Sequence, residues 1–227
     1  MVLHTYEIEI KSLLGDKERA DFLKHRMKQL DPDVVYTGKH TQLNHYFVGG
    51  DLKKLFEKIS LHVEPQKLDS LKEIIHKTKD YSLRSRRADG VVLLVIKASM
   101  DDSTSVNGIA RVEFEAATPD LSLDALDNLV LASGFAYQAK WSREREAYIY
   151  RGANVTIDKN AGYGYVAEFE HLITDADQAT QAQIRLRAMM GELGVSELPQ
   201  DRLERMFAHY NAHWQEYYGT ENIFVVA

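Results

Sequence analysis

Charged side chains recur at every second position in several separate stretches of this chain, the spacing that puts residues on one face of a β-strand. Glu7, Glu9 and Lys11 share a face opposite Tyr6, Ile8 and Ile10. Arg84 and Arg86 share another, and Lys97 follows in the next apolar run. Arg111, Glu113 and Glu115 alternate with Val112 and Phe114, and Arg143 is followed two positions on by Arg145. Asp158 closes a stretch that includes Val155 and Ile157, and Glu168 and Glu170 alternate with Ala167 and Phe169. One such stretch is only the wet side of a sheet. Seven acids and seven bases on matching faces have a narrower set of uses.

Guanidinium and ammonium groups make charge-assisted, often bidentate hydrogen bonds to phosphate oxygens. Clustered carboxylates hold Mg²⁺ or Mn²⁺, hard cations that prefer oxygen ligands and themselves bridge phosphates. Phosphoryl transfer needs mostly positioning and charge stabilisation, which acids and bases on one surface supply together. Stability alone does not select such a lining, because desolvating ions costs several kcal/mol each and apolar residues of similar volume serve as well or better.

These residues need strands to carry them. Tyr6 to Lys11 alternates as a strand that breaks at Gly15-Asp16, and Ala20, Leu23, Met27 and Leu30 recur at helical spacing until Asp31-Pro32-Asp33. Val34 to Tyr36 and Thr41 to Val48 read as two strands around Gly38-Lys39. Residues 51–80 read as a helical hairpin, with one stripe of Leu52, Leu55, Phe56 and Ile59 and a second of Leu68, Leu71 and Ile75. Tyr81 to Arg87 and Val91 to Ser99 flank Asp89-Gly90, a strong hairpin signal. Met100 to Asn107 is a polar loop, in which Asp101-Asp102 is solvated, and Ile109 to Ala116 is a further strand. Ser122 caps a short helix, Phe135 to Tyr150 is a long strand, and Asn154 to Asp158 and Tyr163 to Leu172 form a last hairpin. Helices follow at about 175–218. This is one antiparallel domain over residues 1–227, and if its sheet closes, apolar positions point outward under helices and charged ones inward.

Composition narrows the classes further. The chain has 34 Asp+Glu against 28 Lys+Arg, a net charge of −6, which argues against a broad nucleic-acid surface. The seven acids and seven bases above cancel, so the acidic excess lies elsewhere in the chain. Absence of cysteine excludes disulfides, thiolate metal sites and a cysteine nucleophile. The longest apolar run, Val91 to Ile96, is far short of the roughly 20 residues of a membrane helix. The first residues form no signal peptide, and a soluble, cytoplasmic protein without a membrane partner is expected.

In order and rough spacing these residues resemble the CYTH superfamily of triphosphate tunnel metalloenzymes. That superfamily includes thiamine triphosphatases, inorganic triphosphatases and class IV adenylate cyclases. The resemblance rests on Glu7-Ile8-Glu9-Ile10-Lys11, which looks like the family's ExExK motif, and on Tyr46-Phe47, Arg84-Ser85-Arg86 and Lys97. It continues through Arg111 with Glu113 and Glu115, Arg143-Glu144-Arg145, Asp158, and Gly164 to Glu170. It implies an α+β fold, an eight-stranded antiparallel β-barrel or tunnel with a charged interior, surrounded by helices. It further implies that Glu7, Glu9, Asp158, Glu168 and Glu170, with Glu113 and Glu115, hold Mg²⁺ or Mn²⁺. Lys11, Arg84, Arg86, Lys97, Arg111, Arg143 and Arg145 would bind a small triphosphate substrate, with Lys11, Arg86 and Glu170 as the catalytic set. Water would then attack a terminal phosphorus in line with its leaving oxygen. The alternatives are cyclisation of ATP to cyclic AMP and pyrophosphate, or non-catalytic binding of polyphosphate or triphosphate-ended RNA. A pure anion receptor gains nothing from seven carboxylates.

The chain departs from the family where Asn44-His45 precedes Tyr46, a position that often carries an acid, and where Arg143 replaces a common lysine. The 51–80 hairpin replaces a short connection and reads as a solvated amphipathic addition, with a lid over one tunnel mouth or a partner surface as the alternatives. His209 and His213 have metal-ligand spacing but no third ligand nearby, and His45 reads as a strand filler.

Overall fold

The computed structural model describes residues 6–77, 81–99 and 111–226. The polar loop expected at 100–107, with Asp101 and Asp102, and the side chains of Glu7, Arg111 and Glu113 lie outside the described residues. In chain order the elements are β1 (Tyr6–Gly15), α1 (Lys17–Leu30), β2 (Val35–Gly49), α2 (Leu52–Ile59), α3 (Pro65–Lys77), β3 (Tyr81–Ala88), β4 (Val91–Ser99) and β5 (Arg111–Ala117). They continue with α4 (Leu123–Leu131), β6 (Phe135–Tyr150), β7 (Ala153–Asn160), β8 (Gly164–Ile173), a 3₁₀ turn at Ala176–Gln178, α5 (Ala179–Glu192) and α6 (Gln200–Tyr217). The eight strands form one sheet in the order β1-β8-β7-β6-β2-β3-β4-β5. No helix among these residues is long and apolar enough to cross a membrane.

The chain divides into two compact units, Met1–His40 with Ser142–Ala227, and Thr41–Trp141. In the first, α1 begins at Asp16, whose carboxylate accepts from the Arg19 amide at 2.8 Å and satisfies one orphan N–H of the first turn. Its stripe of Ala20, Leu23 and Met27 is fully buried, packed with Ile10 of β1, Val155 and Ile157 of β7, Phe169 of β8, and Leu186 and Met190 of α5. Each buried aliphatic or aromatic side chain of this kind stabilises by about 1.5–3 kcal/mol relative to exposure. In the second unit, Asp51 caps α2, and Leu52, Leu55 and Ile59 bury against Leu83, Leu94, Ile96 and Phe114 of β3, β4 and β5. The same core takes in Leu71 and Ile74 of α3 and Leu126 and Val130 of α4. Both units therefore cover one sheet face with helices and leave the other for the charged residues.

Two turns show how local chemistry sets the ladder. Asp89 (φ 48°) and Gly90 (φ 91°) both adopt positive φ between β3 and β4, the geometry a two-residue hairpin requires. Gly38-Lys39, by contrast, is no turn: β2 runs unbroken from Val35 to Gly49. Cross-strand contacts to β6 hold that segment extended, with Lys39 Nζ 2.7 Å from Glu144 and the Tyr36 and Tyr148 rings 5.3 Å apart.

Gly164 opens β8 at φ +68°, and a Cβ there would lie 2.0 Å from the Gly15 carbonyl oxygen at the end of β1. Gly164→Ala is expected to destabilise by roughly 1–3 kcal/mol, from overpacking against backbone that cannot swing aside. A urea-unfolding midpoint equal to that of the wild type would contradict this reading.

Candidate active site

Directly opposed residues of an antiparallel pair share a face, so the ladders fix which charges meet. In the first unit Glu9 pairs with Glu170 and Lys11 with Glu168 across β1 and β8. Across β7 and β8, Glu170 pairs with Asn154 and Glu168 with Thr156, while Asp158 stands opposite Arg145 and Asn160 opposite Arg143 across β6 and β7. The helix-covered face carries the alternating partners Ile10, Val155, Ile157, Ala167 and Phe169, all buried. The division of faces read from the sequence is thus the one found in these strands.

The side chains on the charged face form a chain of alternating sign. Lys11 Nζ contacts the Glu9 carboxylate and lies 2.7 Å from Glu168 Oε1. Arg145 contacts Glu168 and grips Asp158 with two bonds, Nε to Oδ1 at 2.7 Å and Nη2 to Oδ2 at 2.6 Å. Arg143 Nη1 completes the set at 3.4 Å from Asp158 Oδ2. Burial pushes the Glu168 carboxyl up, but Lys11, Arg145 and Arg143 outweigh it and hold the group below the usual carboxylate range, so it is anionic at neutral pH. Burial would lower the Arg145 guanidinium, yet Asp158 and Glu168 raise it above its ordinary value. Asp158, 1% exposed, is bonded to both arginines.

The metal that the resemblance implies can be tested against these donors. Glu9 and Glu170 are like charges set directly opposite each other, and Lys11 Nζ is a cation that contacts Glu9 beside them. Glu168 shares their face two residues along β8. Carboxylate oxygens are the donors that Mg²⁺ and Mn²⁺ prefer, so the chemistry of Glu9, Glu168 and Glu170 fits. Among the described residues no three acidic or histidine side chains already converge on one point.

The second unit presents a separate group. Arg84 and Arg86 stand opposite Tyr46 and Asn44 across β2 and β3. Arg84 Nη1 donates to the Tyr46 hydroxyl at 3.0 Å, and Arg86 Nε donates to Asn44 Oδ1 at 2.9 Å. Asn44 thus keeps a side-chain oxygen acceptor where the family often carries an acid. Arg86 Nη1 also reaches Glu115 Oε2 at 2.8 Å, so Glu115 serves an ion pair with an arginine in this structure. In the ladders Lys97 lies between Ser82 of β3 and Glu113 of β5.

One group escaped the reading of the sequence. On the helix-covered face of the second unit, Asp127 of α4 is 1% exposed and bonded to His45, Ser85 and Tyr137. The available signal was a carboxylate inside the buried α4 stripe of Leu123, Leu126 and Val130. Burial pushes the Asp127 carboxyl up, but bonds with His45, Ser85 and Tyr137 bring it below the usual range. His45 is accordingly a core residue, as expected of a strand filler. The His209 and His213 rings are tilted with centroids 4.7 Å apart, His209 Nε2 lies 3.3 Å from the Tyr217 hydroxyl, and His213 Nδ1 lies 3.1 Å from Glu216 Oε1.

These features define a class that comparison identifies. A profile of the CYTH domain matches residues 69–202, more than half of the chain, and the protein belongs to that family. Solved structures share the fold at low identity. The PH1819 protein of Pyrococcus horikoshii OT3 is 20% identical, with a TM-score of 0.54 over 90% of this chain and 99% of that one. A conserved hypothetical protein of Pyrococcus furiosus is 17% identical, with a TM-score of 0.54 over 84% and 92%. A Vibrio parahaemolyticus protein described only as a candidate adenylate cyclase is 15% identical, with a TM-score of 0.53 over 89% and 98%. No curated protein matches this chain. Strand β1, with Glu9 and Lys11, lies outside the matched segment and is tied to it by the ladder with β8.

Proposed function

We propose that this CYTH-domain protein is a divalent-metal-dependent hydrolase of a triphosphate substrate: inorganic triphosphate, thiamine triphosphate or a nucleoside triphosphate. The observation that carries the reading is the alternating network Glu9–Lys11–Glu168–Arg145–Asp158–Arg143 on the face opposite the helices. Its cations suit phosphate oxygens, and its carboxylates suit a hard metal ion.

In this reading Lys11, Arg143 and Arg145 take phosphate oxygens, and Arg84, Arg86, Lys97 and Arg111 are proposed as further phosphate-binding cations. Glu7, Glu9, Glu168 and Glu170 hold the cation, with Glu113 and Glu115 as further acidic groups. When bound, Mg²⁺ or Mn²⁺ supplies Lewis-acid polarisation of phosphoryl oxygen and acidifies water. Asp158 holds the Arg145 fork in place before substrate arrives, so less side-chain entropy is lost on binding. Water adds to the terminal phosphorus as the bond to the bridging oxygen breaks, the water gives its proton to solvent, and the negative charge that develops on the leaving oxygen is met by Lys11 and the arginines.

Cyclisation of ATP is the second reading, favoured by the assignment of the Vibrio structure. Chromatography of products from tripolyphosphate, thiamine triphosphate and ATP, each with Mg²⁺ or Mn²⁺, separates the two. Orthophosphate plus the matching diphosphate supports hydrolysis. Cyclic AMP plus pyrophosphate from ATP replaces that reading with the second. Arg86→Ala removes a charged donor and is expected to raise KM by about tenfold with a smaller change in kcat, measured in steady-state kinetics. An unchanged KM would remove Arg86 from the substrate site.

A further inference from the structure

We propose that Asp127, on the helix-covered side of the sheet, is a positioning residue for Arg84 and Arg86; the inference rests on the triphosphate reading above. A carboxylate buried among apolar residues is costly unless its oxygens are satisfied. Three partners satisfy this one. Ser85 Oγ donates to Oδ1 at 2.5 Å, the Tyr137 hydroxyl donates to Oδ2 at 2.7 Å, and His45 Nδ1 lies 2.6 Å from Oδ2. Lys140 Nζ stands 3.9 Å from Oδ2 and 4.2 Å from the centre of the Tyr137 ring.

Two of the partners share one rung of the ladder. His45 of β2 and Ser85 of β3 are directly opposed, and Asp127 takes hold of both from α4. The rungs on either side are Asn44 with Arg86 and Tyr46 with Arg84. Side chains alternate along a strand, so those four residues point to the opposite face from the rung that Asp127 holds. There each arginine is bonded to the side chain of its own rung partner. The carboxylate thus fastens β2 to β3 at the step between the two arginine rungs. A one-residue slip would exchange the faces and turn Arg84 and Arg86 toward the apolar core. Leucine at 127 with apolar partners would serve stability as well or better, whereas a satisfied polar cluster also specifies which residues stand opposite each other.

The test uses the full chain and three variants: Asp127→Asn, Ser85→Ala as a milder loss of one bond, and Leu126→Ala as a core variant from the same helix. Thermal unfolding, KM and kcat for tripolyphosphate with Mg²⁺, and the metal-free Kd for tripolyphosphate by calorimetry are measured well below each Tm. Asp127→Asn is expected to weaken Kd and raise KM by about tenfold, with kcat within about threefold of wild type. Ser85→Ala should move the same two constants by about threefold, and should decide the matter if Asp127→Asn does not fold. Leu126→Ala should lower Tm and leave Kd unchanged. Wild-type Kd and KM in the folded Asp127 and Ser85 variants, or an equal loss of affinity in Leu126→Ala, would overturn the positioning role alone. A wild-type protein that neither binds nor hydrolyses tripolyphosphate would overturn the triphosphate reading, and the positioning role with it.

Discussion

Glu170→Gln, and separately Glu9→Gln, is expected to lower metal-supported phosphate release from tripolyphosphate by about a hundredfold or more, the scale on which groups that hold or orient a catalytic metal act. Each substitution keeps the size of the side chain and removes one anionic ligand. The two carboxylates stand directly opposite each other on β1 and β8. Neutralising Glu170 therefore relieves a like-charge repulsion in the metal-free protein, and its Tm should stay level or rise slightly, whereas Glu9→Gln also weakens the contact with Lys11. For Glu170 that sign separates a ligand from a structural acid, whose loss would cost stability. Wild-type rates in both variants would mean that these glutamates hold no catalytic metal.

Asp158→Ala carries the largest expected loss of stability, about 3 kcal/mol or slightly more, the lower end of what breaking a buried ion pair costs. Asp158 is 1% exposed and accepts both of the Arg145 bonds as well as the contact from Arg143. Its removal leaves two guanidinium groups without their common anion. Glu168 still pairs with Arg145, and the side chains of Arg145 and Arg143 are 22% and 25% exposed, so water offsets part of the loss. For a chain of this length that corresponds to a fall in Tm on the order of 6–12 °C. Calorimetric unfolding checks it, and a shift below about 2 °C would show that Arg145 needs no anion at that position.

Much of this arrangement was legible because strands report their own faces. The alternation in Glu7 to Lys11, Arg84 to Arg86 and Glu168 to Glu170 separates charged from apolar sides without knowledge of any neighbour. Local turn and cap chemistry was equally readable: Asp89-Gly90 forms its hairpin, and Ser122 accepts from the Ala125 amide at 3.1 Å. Register was not legible, since it depends on which strands meet and at what offset. The sequence grouped Asp158 with the acids of that face but did not show that it stands opposite Arg145, which only the ladder places. Gly38-Lys39 looked like a turn because glycine usually punctuates, and contacts between β2 and β6 override that preference. Asp127 was hidden for a related reason. Its partners come from β2, β3 and β6, and within α4 it is only an acid amid leucines.

The most direct measurement is orthophosphate release from tripolyphosphate by the purified wild-type chain, with Mg²⁺ or Mn²⁺ and again with excess EDTA. The charged face of β1, β6, β7 and β8 predicts stoichiometric diphosphate and orthophosphate with either metal and none under EDTA. No release with either metal, or release that EDTA leaves unchanged, would contradict it.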